Sequence, residues 1–398
     1  MPAPLRLVVD ANIPFAHDAF GRYGQVRALS GRDITRETVH DADVLLVRSV
    51  TPVDAGLLEG TPVRFIASAT AGTDHIRLGD LRERGVTFAH APGSNAASVV
   101  DWTVAALLHL AASRGEALEG RTLAVVGVGE VGGRLVPRAE ALGMRVLRCD
   151  PPRAEAGHPG PWHDLADALT EADVLTLHTP LTREGQHTTH HLVGERELGA
   201  MREGAWLLNA SRGPVVDGTA LLRAVAVRRL GAVALDVWEG EPRPTPGLAS
   251  RVDLGTPHIA GYAFDGKVRG TVMIEQALRA WLQRNGRPLP EAWNPEAALA
   301  SPQPLTVTAP PPPETSTPEA RARWLHALAR QAYAITDDDR RFSEAVVAMP
   351  DPERRADAFT DLRRTYPVRR EWSRYRVEGG VPTPLVRAVE TGLGMRLV

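Results

Sequence analysis

The chain has 398 residues, of which 43% are hydrophobic and 24% are charged, and its net charge at pH 7 is −2. This is the composition of a globular protein with two or three domains. A net charge so near zero creates no field for nucleic acid or an anionic membrane, so we predict neither as a partner. The single cysteine, Cys149, excludes an intramolecular disulfide framework and suits a reducing cytoplasm. No run approaches 18 apolar residues and the N-terminus lacks a signal-peptide pattern, which also favours a cytoplasmic protein.

Short apolar runs alternate with polar, helix-compatible spacers along the first ninety residues. Continuous apolar runs are typical of strands that are buried on both faces of a parallel sheet. Four are present, at residues 5–10, 43–49, 64–70 and 86–91. The nearly uncharged segment 94–114 follows and predicts a long buried helix.

A second series of apolar runs follows that helix, at residues 122–129, 144–150, 174–180, 205–213, 231–239 and 252–260. The alternation of strands and helices predicts an α/β protein with two doubly wound parallel-sheet domains. We expect a flavodoxin-like substrate domain over 1–95, completed by a long helix at about 265–288. We expect a Rossmann nucleotide-binding domain over 96–264.

The C-terminal part differs in composition. Residues 303–318 are rich in Pro and Thr, which predicts a linker. The segment 318–335 then predicts a helix with one apolar face, formed by Trp324, Leu325, Leu328, Ala332 and Tyr333. We predict a small α+β domain over 289–398 that makes a homodimer, because Tyr, Trp and Arg are enriched in interface cores. A ligand-sensing regulatory domain is the alternative. We see no metal-ligand or nucleophile spacing in this part, and we predict no metal.

A glycine-rich turn, V-V-G-V-G-E-V-G-G, joins a predicted strand to a predicted helix. Gly127 would make the tight turn, Gly129 would let the backbone approach a pyrophosphate, and Gly132 would let helix and strand pack closely. Asp150 ends the next strand, about 20 residues on, where a carboxylate meets the ribose hydroxyls of NAD. We therefore predict NAD as the cofactor, although Arg153 could favour NADP.

Three polar side chains follow later strands of the same domain. They are Arg212, Glu241 and His258, and open α/β sheets bind ligands at the carboxyl ends of their strands. A histidine base, a carboxylate that orients it and an arginine for a substrate carboxylate are the groups that oxidation of a 2-hydroxy acid requires. Each could alone be structural, but their order behind the glycine-rich turn supports a catalytic set.

The motifs GVGEVGG, CDPPR, HTP, NASRGPVVD, DVWEGEP and TPHIAGY together resemble the D-isomer-specific 2-hydroxyacid dehydrogenase family. The resemblance runs nearly end to end and is thinner beyond about residue 285, where RREW near 370 is the best remaining match. It implies an NAD-dependent dehydrogenase that acts on a small phosphorylated 2-hydroxy acid. It also implies that Arg212, Glu241 and His258 are the catalytic residues.

The resemblance also implies binding residues. The positions that match NAD contacts are Asp150, Thr179, Ala210, Ser211, Arg212, Asp236 and Gly261, beside the three glycines of the turn. Those that match substrate contacts are Ser49, Thr70 and Tyr262. A phosphate at the far end of the substrate needs a cation, and Arg48, Lys267 and Arg269 are the candidates. Lys267 is the only lysine of the chain, and a lysine suits phosphate as a compact charge.

Two alternatives remain open at this point. One is a sister dehydrogenase that acts on phosphoglycerate or on an unphosphorylated 2-hydroxy acid. The other is an NAD-responsive, corepressor-like binding protein, since relatives of this fold keep the same three residues in that role. The chain shows no basic tail that would favour the second alternative.

Overall fold

The computed structural model describes residues 3–300, 303–313 and 316–398. They form two compact units. The first unit comprises Met1–Asn95 with Ala263–Pro302, and the second comprises Ala96–Tyr262 with Gln303–Val398. The chain therefore leaves the first unit at the start of one long helix and returns to it at the start of another.

The first unit contains a parallel sheet of five strands in the order β2-β1-β3-β4-β5, which is the flavodoxin-like order. The strands are β1 Leu5–Asp10, β2 Gly24–Leu29, β3 Val44–Val47, β4 Phe65–Ser68 and β5 Thr87–His90. The helices are α1 Ala16–Phe20, α2 Arg36–Val39, α3 Leu78–Glu83, α11 Phe264–Arg284 and α12 Glu296–Leu299. The sequence did not predict β2, because this edge strand is largely exposed and carries Gln25 and Arg27 among its apolar residues.

The second unit contains a parallel sheet of six strands in the order β11-β10-β9-β8-β6-β7. The strands are β6 Thr122–Val126, β7 Arg145–Cys149, β8 Val174–Leu177, β9 Trp206–Asn209, β10 Ala232–Leu235 and β11 Leu254–Gly255. The order reverses between β6 and β8, so the glycine-rich turn after β6 lies at the switch point where α/β sheets bind ligands. Both sheets are parallel and doubly wound, as predicted. The second differs from the common Rossmann order in that β7 is its outermost strand.

Helices cover both faces of this second sheet. They are α4 Ala96–Arg114, α5 Gly132–Ala141, α6 Pro151–Glu155, α7 Leu165–Glu171, α8 Glu195–Ala200, α9 Gly218–Ala226 and α10 Pro246–Ala249. Contrary to the sequence analysis, α4 is long and apolar enough to span a membrane by length and composition, because its Ala, Val and Leu residues are interrupted by few charges. It is instead a core helix, with 78% of its most apolar window buried.

Of the span 289–398 that we predicted as a separate domain, the part from Gln303 to Val398 belongs to the second unit, whereas the part before it belongs to the first. The C-terminal part of the second unit contains α13 Pro318–Ala332, α14 Ile335–Phe342 and α15 Pro352–Arg364, with a small parallel sheet of β12 Thr306–Thr308, β13 Arg376–Glu378 and β14 Arg396–Leu397. The predicted linker therefore contains a strand, β12.

The apolar face of α13 explains this packing. Trp324, Leu325, Leu328 and Tyr333 are buried in the same hydrophobic core as α4 and the second sheet. The face that we expected at a dimer interface is thus covered by the chain's own core.

Candidate active site

The turn after β6 has the geometry of a dinucleotide-binding loop. Gly127 has a φ of +85°, and a Cβ there would lie 2.7 Å from the carbonyl oxygen of His178. A Cβ at Gly132 would overlap the carbonyl oxygen of Gly127, so only glycine allows α5 to begin against the turn. At Gly129 a Cβ would meet nothing within 4 Å. The turn thus leaves an open approach to the backbone before α5.

Asp150 lies where the sequence predicted it, directly after β7. Its carboxylate accepts hydrogen bonds from the backbone N–H groups of Val128, at 2.8 Å, and Arg153, at 3.1 Å. It therefore caps α6 and connects it to the glycine-rich turn. Arg153 donates to the carbonyl oxygen of Val128 at 2.6 Å, so the one cation that could favour NADP is held by the turn itself.

The remaining predicted cofactor residues lie after β8 and β9 and in the loop after β11. Thr179 has a buried hydroxyl oxygen that has no hydrogen-bond partner among the described residues. Ser211 donates its hydroxyl proton to Asn209 at 2.8 Å, while Ala210 and Gly261 are half-buried. The glycine turn, the strand-end carboxylate and the unsatisfied Thr179 hydroxyl all fit a bound dinucleotide.

Arg212 and Glu241 follow neighbouring strands, β9 and β10, whose loops pack tightly together. A Cβ at Gly213 would overlap the carbonyl group of Trp238 and would lie 2.5 Å from the nitrogen of Glu239. Only a glycine after Arg212 allows this approach. Arg212 also donates to the carbonyl oxygen of Ser211 at 2.8 Å, which fixes part of its guanidinium group.

Glu241 and His258 form a hydrogen-bonded pair, with 2.7 Å between Glu241 Oε1 and His258 Nδ1. Since a carboxylate only accepts, Nδ1 carries the proton of the neutral ring and Nε2 has the free lone pair. His258 has a φ of +57°. Such left-handed geometry is uncommon for a residue with a side chain and is concentrated at functional sites.

The charges around Glu241 keep it ionised. Burial alone would raise its pKa, but the net shift is downward. The charge and hydrogen bond of His258 lower the pKa most, and the positive charges of Arg363 and Arg212 lower it further. The structure thus brings together the three side chains that the sequence predicted, and it adds Arg363.

Asp236 supports the loop that carries His258, a role that the sequence analysis did not identify. One carboxylate oxygen accepts from the hydroxyl of Thr256 and the N–H of Ile259, both at 2.7 Å, and the other accepts from the N–H of Ala260 at 2.9 Å. Burial raises the pKa of Asp236. Its contact with NAD stays a prediction, whereas its hydrogen bonds to the loop that carries His258 are part of the structure.

The C-terminal part also contacts this loop, which no sequence motif indicated. The guanidinium carbon of Arg363 lies 5.7 Å from the centre of the Tyr262 ring. Tyr366 meets the same ring edge-on, with 5.9 Å between ring centres. Arg369 donates to the carbonyl oxygen of Ala260. The predicted substrate residue Tyr262 is therefore held by side chains from α15 and the segment after it.

The other predicted substrate residues belong to the first unit. Ser49 follows β3 and is exposed, whereas Thr70 follows β4, and its hydroxyl donates to the carbonyl oxygen of Gly72 at 3.2 Å and lies 2.8 Å from the hydroxyl of Ser68. Among the candidate cations, Arg48 donates to the carbonyl oxygen of Asn12 at 3.1 Å and Arg269 to that of Ser94 at 2.9 Å. Lys267 lies half-buried in the first turn of α11.

A group of potential metal ligands lies after β8 and β10, although the sequence analysis predicted no metal. Ligand atoms of His190, His191 and Glu239 lie within 4.8 Å of one another. His191 Nε2 and Glu239 Oε1 are 2.6 Å apart, and the two imidazole rings stack. Glu239 also accepts from the N–H of Gly218 at 2.9 Å, so these side chains form a hydrogen-bonded cluster next to the Gly213 contact.

Comparison with known proteins agrees with this geometry. Residues 99–260 match the family model described as D-isomer specific 2-hydroxyacid dehydrogenase, NAD binding domain, and residues 313–389 match a domain of unknown function, DUF3410. Among solved structures, a protein of Thermus thermophilus has a TM-score of 0.62 at 30% identity, over 72% of this chain and 99% of that one. The D-lactate dehydrogenase of Aquifex aeolicus, in complex with NAD and lactic acid, has a TM-score of 0.60 at 25% identity, over 70% and 96%.

Curated relatives match nearly the whole chain. The erythronate-4-phosphate dehydrogenase of Salinibacter ruber is 51% identical over 400 residues, which cover 99% of each chain. That of Azotobacter vinelandii is 45% identical over 399 residues, which cover 98% of this chain and 99% of the relative. The chain belongs to the D-isomer-specific 2-hydroxyacid dehydrogenases, a family of NAD-dependent enzymes.

Proposed function

We propose that the protein oxidises 4-phospho-D-erythronate at C2 with NAD. The products are (R)-3-hydroxy-2-oxo-4-phosphooxybutanoate, NADH and a proton, and the reaction belongs to pyridoxal 5'-phosphate (vitamin B6) biosynthesis. The observation that carries this proposal is the His258–Glu241 pair at 2.7 Å, beside Arg212. The end-to-end similarity to relatives named for this reaction supports the choice of substrate.

His258 and Glu241 would move the hydroxyl proton. Nε2 of the neutral His258 ring accepts the proton from the C2 hydroxyl while the C2–H bond breaks. Glu241 holds Nδ1 and stabilises the imidazolium that forms. NAD, held by Gly127, Gly129, Gly132 and Asp150, supplies the hydride acceptor when bound. The low pKa of Glu241 suits this task, because a protonated glutamate could not stabilise the imidazolium.

Arg212 would bind the substrate carboxylate. A guanidinium can bind a carboxylate through two parallel hydrogen bonds and polarise the oxygen that develops at C2. Thr179, Ala210, Ser211, Asp236 and Gly261 remain the proposed NAD contacts in the same unit.

We assign the remaining substrate contacts to Ser49, Thr70 and Tyr262. Arg48, Lys267 and Arg269 are the proposed cations for the distal phosphate. The guanidinium groups of Arg48 and Arg269 each donate to a carbonyl oxygen, and a guanidinium can bind phosphate through two parallel hydrogen bonds. Lysine suits phosphate as a compact donor.

Turnover on a panel of acids tests the proposal. NADH formation would be followed with 4-phospho-D-erythronate, unphosphorylated erythronate, 3-phospho-D-glycerate and D-lactate. We expect the highest kcat/KM with 4-phospho-D-erythronate. A preference for 3-phospho-D-glycerate or D-lactate would identify a sister dehydrogenase, and NAD binding without any turnover would favour a binding protein.

We further propose a cytoplasmic homodimer. Closed two-fold dimers are the commonest assembly of soluble enzymes. Because the apolar face of α13 is buried within its own chain, the partner must contact other surfaces, and Val368 is an aliphatic side chain of this part that is 78% exposed. Sedimentation of the full chain at micromolar concentration tests this assembly, and a monomer would contradict it.

A further inference from the structure

Arg363, near the end of α15, lies against the catalytic loop. Its guanidinium carbon is 5.7 Å from the centre of the Tyr262 ring and 6.0 Å from that of Phe359. A guanidinium over an aromatic ring is attracted by the negative face of the ring, so this contact fixes the orientation of Tyr262. Arg363 belongs to residues 313–389, the part of the chain that matches the family model of a domain of unknown function.

Arg363 and Glu241 are also linked by charge. Glu241 Oε2 and Arg363 Nε are both buried, and neither has a hydrogen-bond partner among the described residues. A buried charge is costly unless another charge or a hydrogen bond compensates it. The attraction between the two charges provides such compensation, and it lowers the pKa of Glu241. Burial alone would lower the pKa of Arg363, but Tyr262 and Glu241 raise it above the ordinary value.

The neighbouring contacts explain how a side chain from α15 reaches this position. Arg369 donates to the carbonyl oxygens of Ile259 and Ala260, which directly follow His258. Tyr366 meets Tyr262 edge-on and donates to Asp338 at 2.7 Å. The segment from Arg363 to Arg369 therefore holds the catalytic loop from outside the nucleotide-binding fold.

We propose that Arg363 is a positioning residue of the dehydrogenase reaction. It holds Glu241 as a fixed carboxylate and orients Tyr262, so that His258 keeps the ring orientation in which Nε2 accepts the substrate proton. The C-terminal part thus supplies one charge of the active site. This inference rests on the proposed function, and the experiment separates the two.

The test compares Arg363→Met, Arg363→Lys and Arg364→Met with the parent enzyme. Arg364 is the matched control, since it is the next residue of α15, is 65% exposed and pairs with Asp361 at 3.0 Å. The measurements are the pH dependence of kcat/KM for 4-phospho-D-erythronate, the affinity for NAD and the thermal unfolding midpoint. Loss of a cation beside Glu241 and His258 makes protonation of this pair easier. The acid limb of the kcat/KM profile should therefore move to higher pH in Arg363→Met.

We expect the acid limb to shift by about one pH unit, which is the lower end of the pKa change that a neighbouring opposite charge produces. On the acid limb this corresponds to about a tenfold loss of kcat/KM. The affinity for NAD should stay near that of the parent. Arg363→Lys keeps the charge and should restore most of the acid limb, and Arg364→Met should match the parent.

The outcomes separate the possible failures. A parent enzyme without turnover of 4-phospho-D-erythronate would refute the proposed function. An active parent with the same acid limb in Arg363→Met would overturn the role of Arg363 alone. Equal shifts in Arg363→Met and Arg363→Lys would also overturn it, since they would indicate lost packing and not lost charge. If Arg363→Met does not fold, Arg363→Gln replaces it, with the same shift expected and the same result refuting the role.

Discussion

Gly213 couples the loop of Arg212 to the loop of Glu241, and substitution by alanine should separate them. The added Cβ would lie 2.5 Å from the nitrogen of Glu239, whereas ordinary contact begins at 3.4 Å. Because the atoms that it meets belong to the backbone, no side chain can move aside. Because the Cβ would also overlap the carbonyl group of Trp238, the loops must separate by more than about 1 Å, a misplacement that can reduce kcat about 100-fold. Overpacking should also cost about 1–3 kcal/mol of unfolding free energy.

The assay would measure NADH formation under saturating substrate, with thermal unfolding on the same samples. Gly199→Ala is the matched control, because Gly199 lies within α8 and a Cβ there meets nothing within 4 Å. That variant should keep the parent kcat and gain up to about 1 kcal/mol from helix propensity. A Gly213→Ala enzyme with parental kcat and unfolding midpoint would show that the two loops are not rigidly coupled.

Further variants test individual groups. His258→Ala should keep NAD binding in a direct titration but lose about 10²–10⁴-fold in kcat. Glu241→Gln should move the acid limb of the kcat/KM profile downward, because the protonated histidine loses its carboxylate; an upward shift would contradict the assigned pair. Asp150→Ala should narrow the preference for NAD over NADP, measured as the ratio of kcat/KM values. Burial lowers the pKa of His326 to about 4, with a contribution from His109. Since the unfolded chain binds this proton near pH 6.5, stability should fall as the pH drops from about 6.5 to 4, and His326→Leu should reduce that slope in thermal unfolding.

The strands that the sequence predicted best are those buried on both faces. The segments Thr122–Val126 and Val174–Leu177 are continuous apolar runs and lie inside the sheet. Arg212, Glu241 and His258 follow three other strands of the same sheet, β9, β10 and β11, and the rule for strand ends anticipates that these loops lie side by side. The edge strand Gly24–Leu29 has no such run, because its side chains are largely exposed and polar residues are tolerated there. Periodicity therefore predicts the middle of a sheet better than its edge.

Contacts between distant segments could not be predicted in this way. The role of Gly213 depends on the backbone of Trp238, and the role of Asp236 depends on the N–H groups of the loop after His258. Arg369 and Ile259 are 110 residues apart in sequence. No local sequence pattern distinguishes Gly213 from a glycine in an ordinary turn, or Arg369 from an exposed arginine. The partners of these residues can be identified only once the fold is known.

The apolar face of α13 shows how one pattern permits two structures. A helix with one apolar face must bury it, but the sequence does not say whether its own chain or a partner covers it. Here α4 covers it, and Asp101 of that helix pairs with Arg138 at 2.6 Å while accepting the N–H of Trp372 at 3.0 Å. Removal of the C-terminal part would therefore expose the core of the nucleotide-binding unit and disturb the loop of His258 together. The C-terminal part therefore supports both the hydrophobic core of this unit and the loop that carries His258.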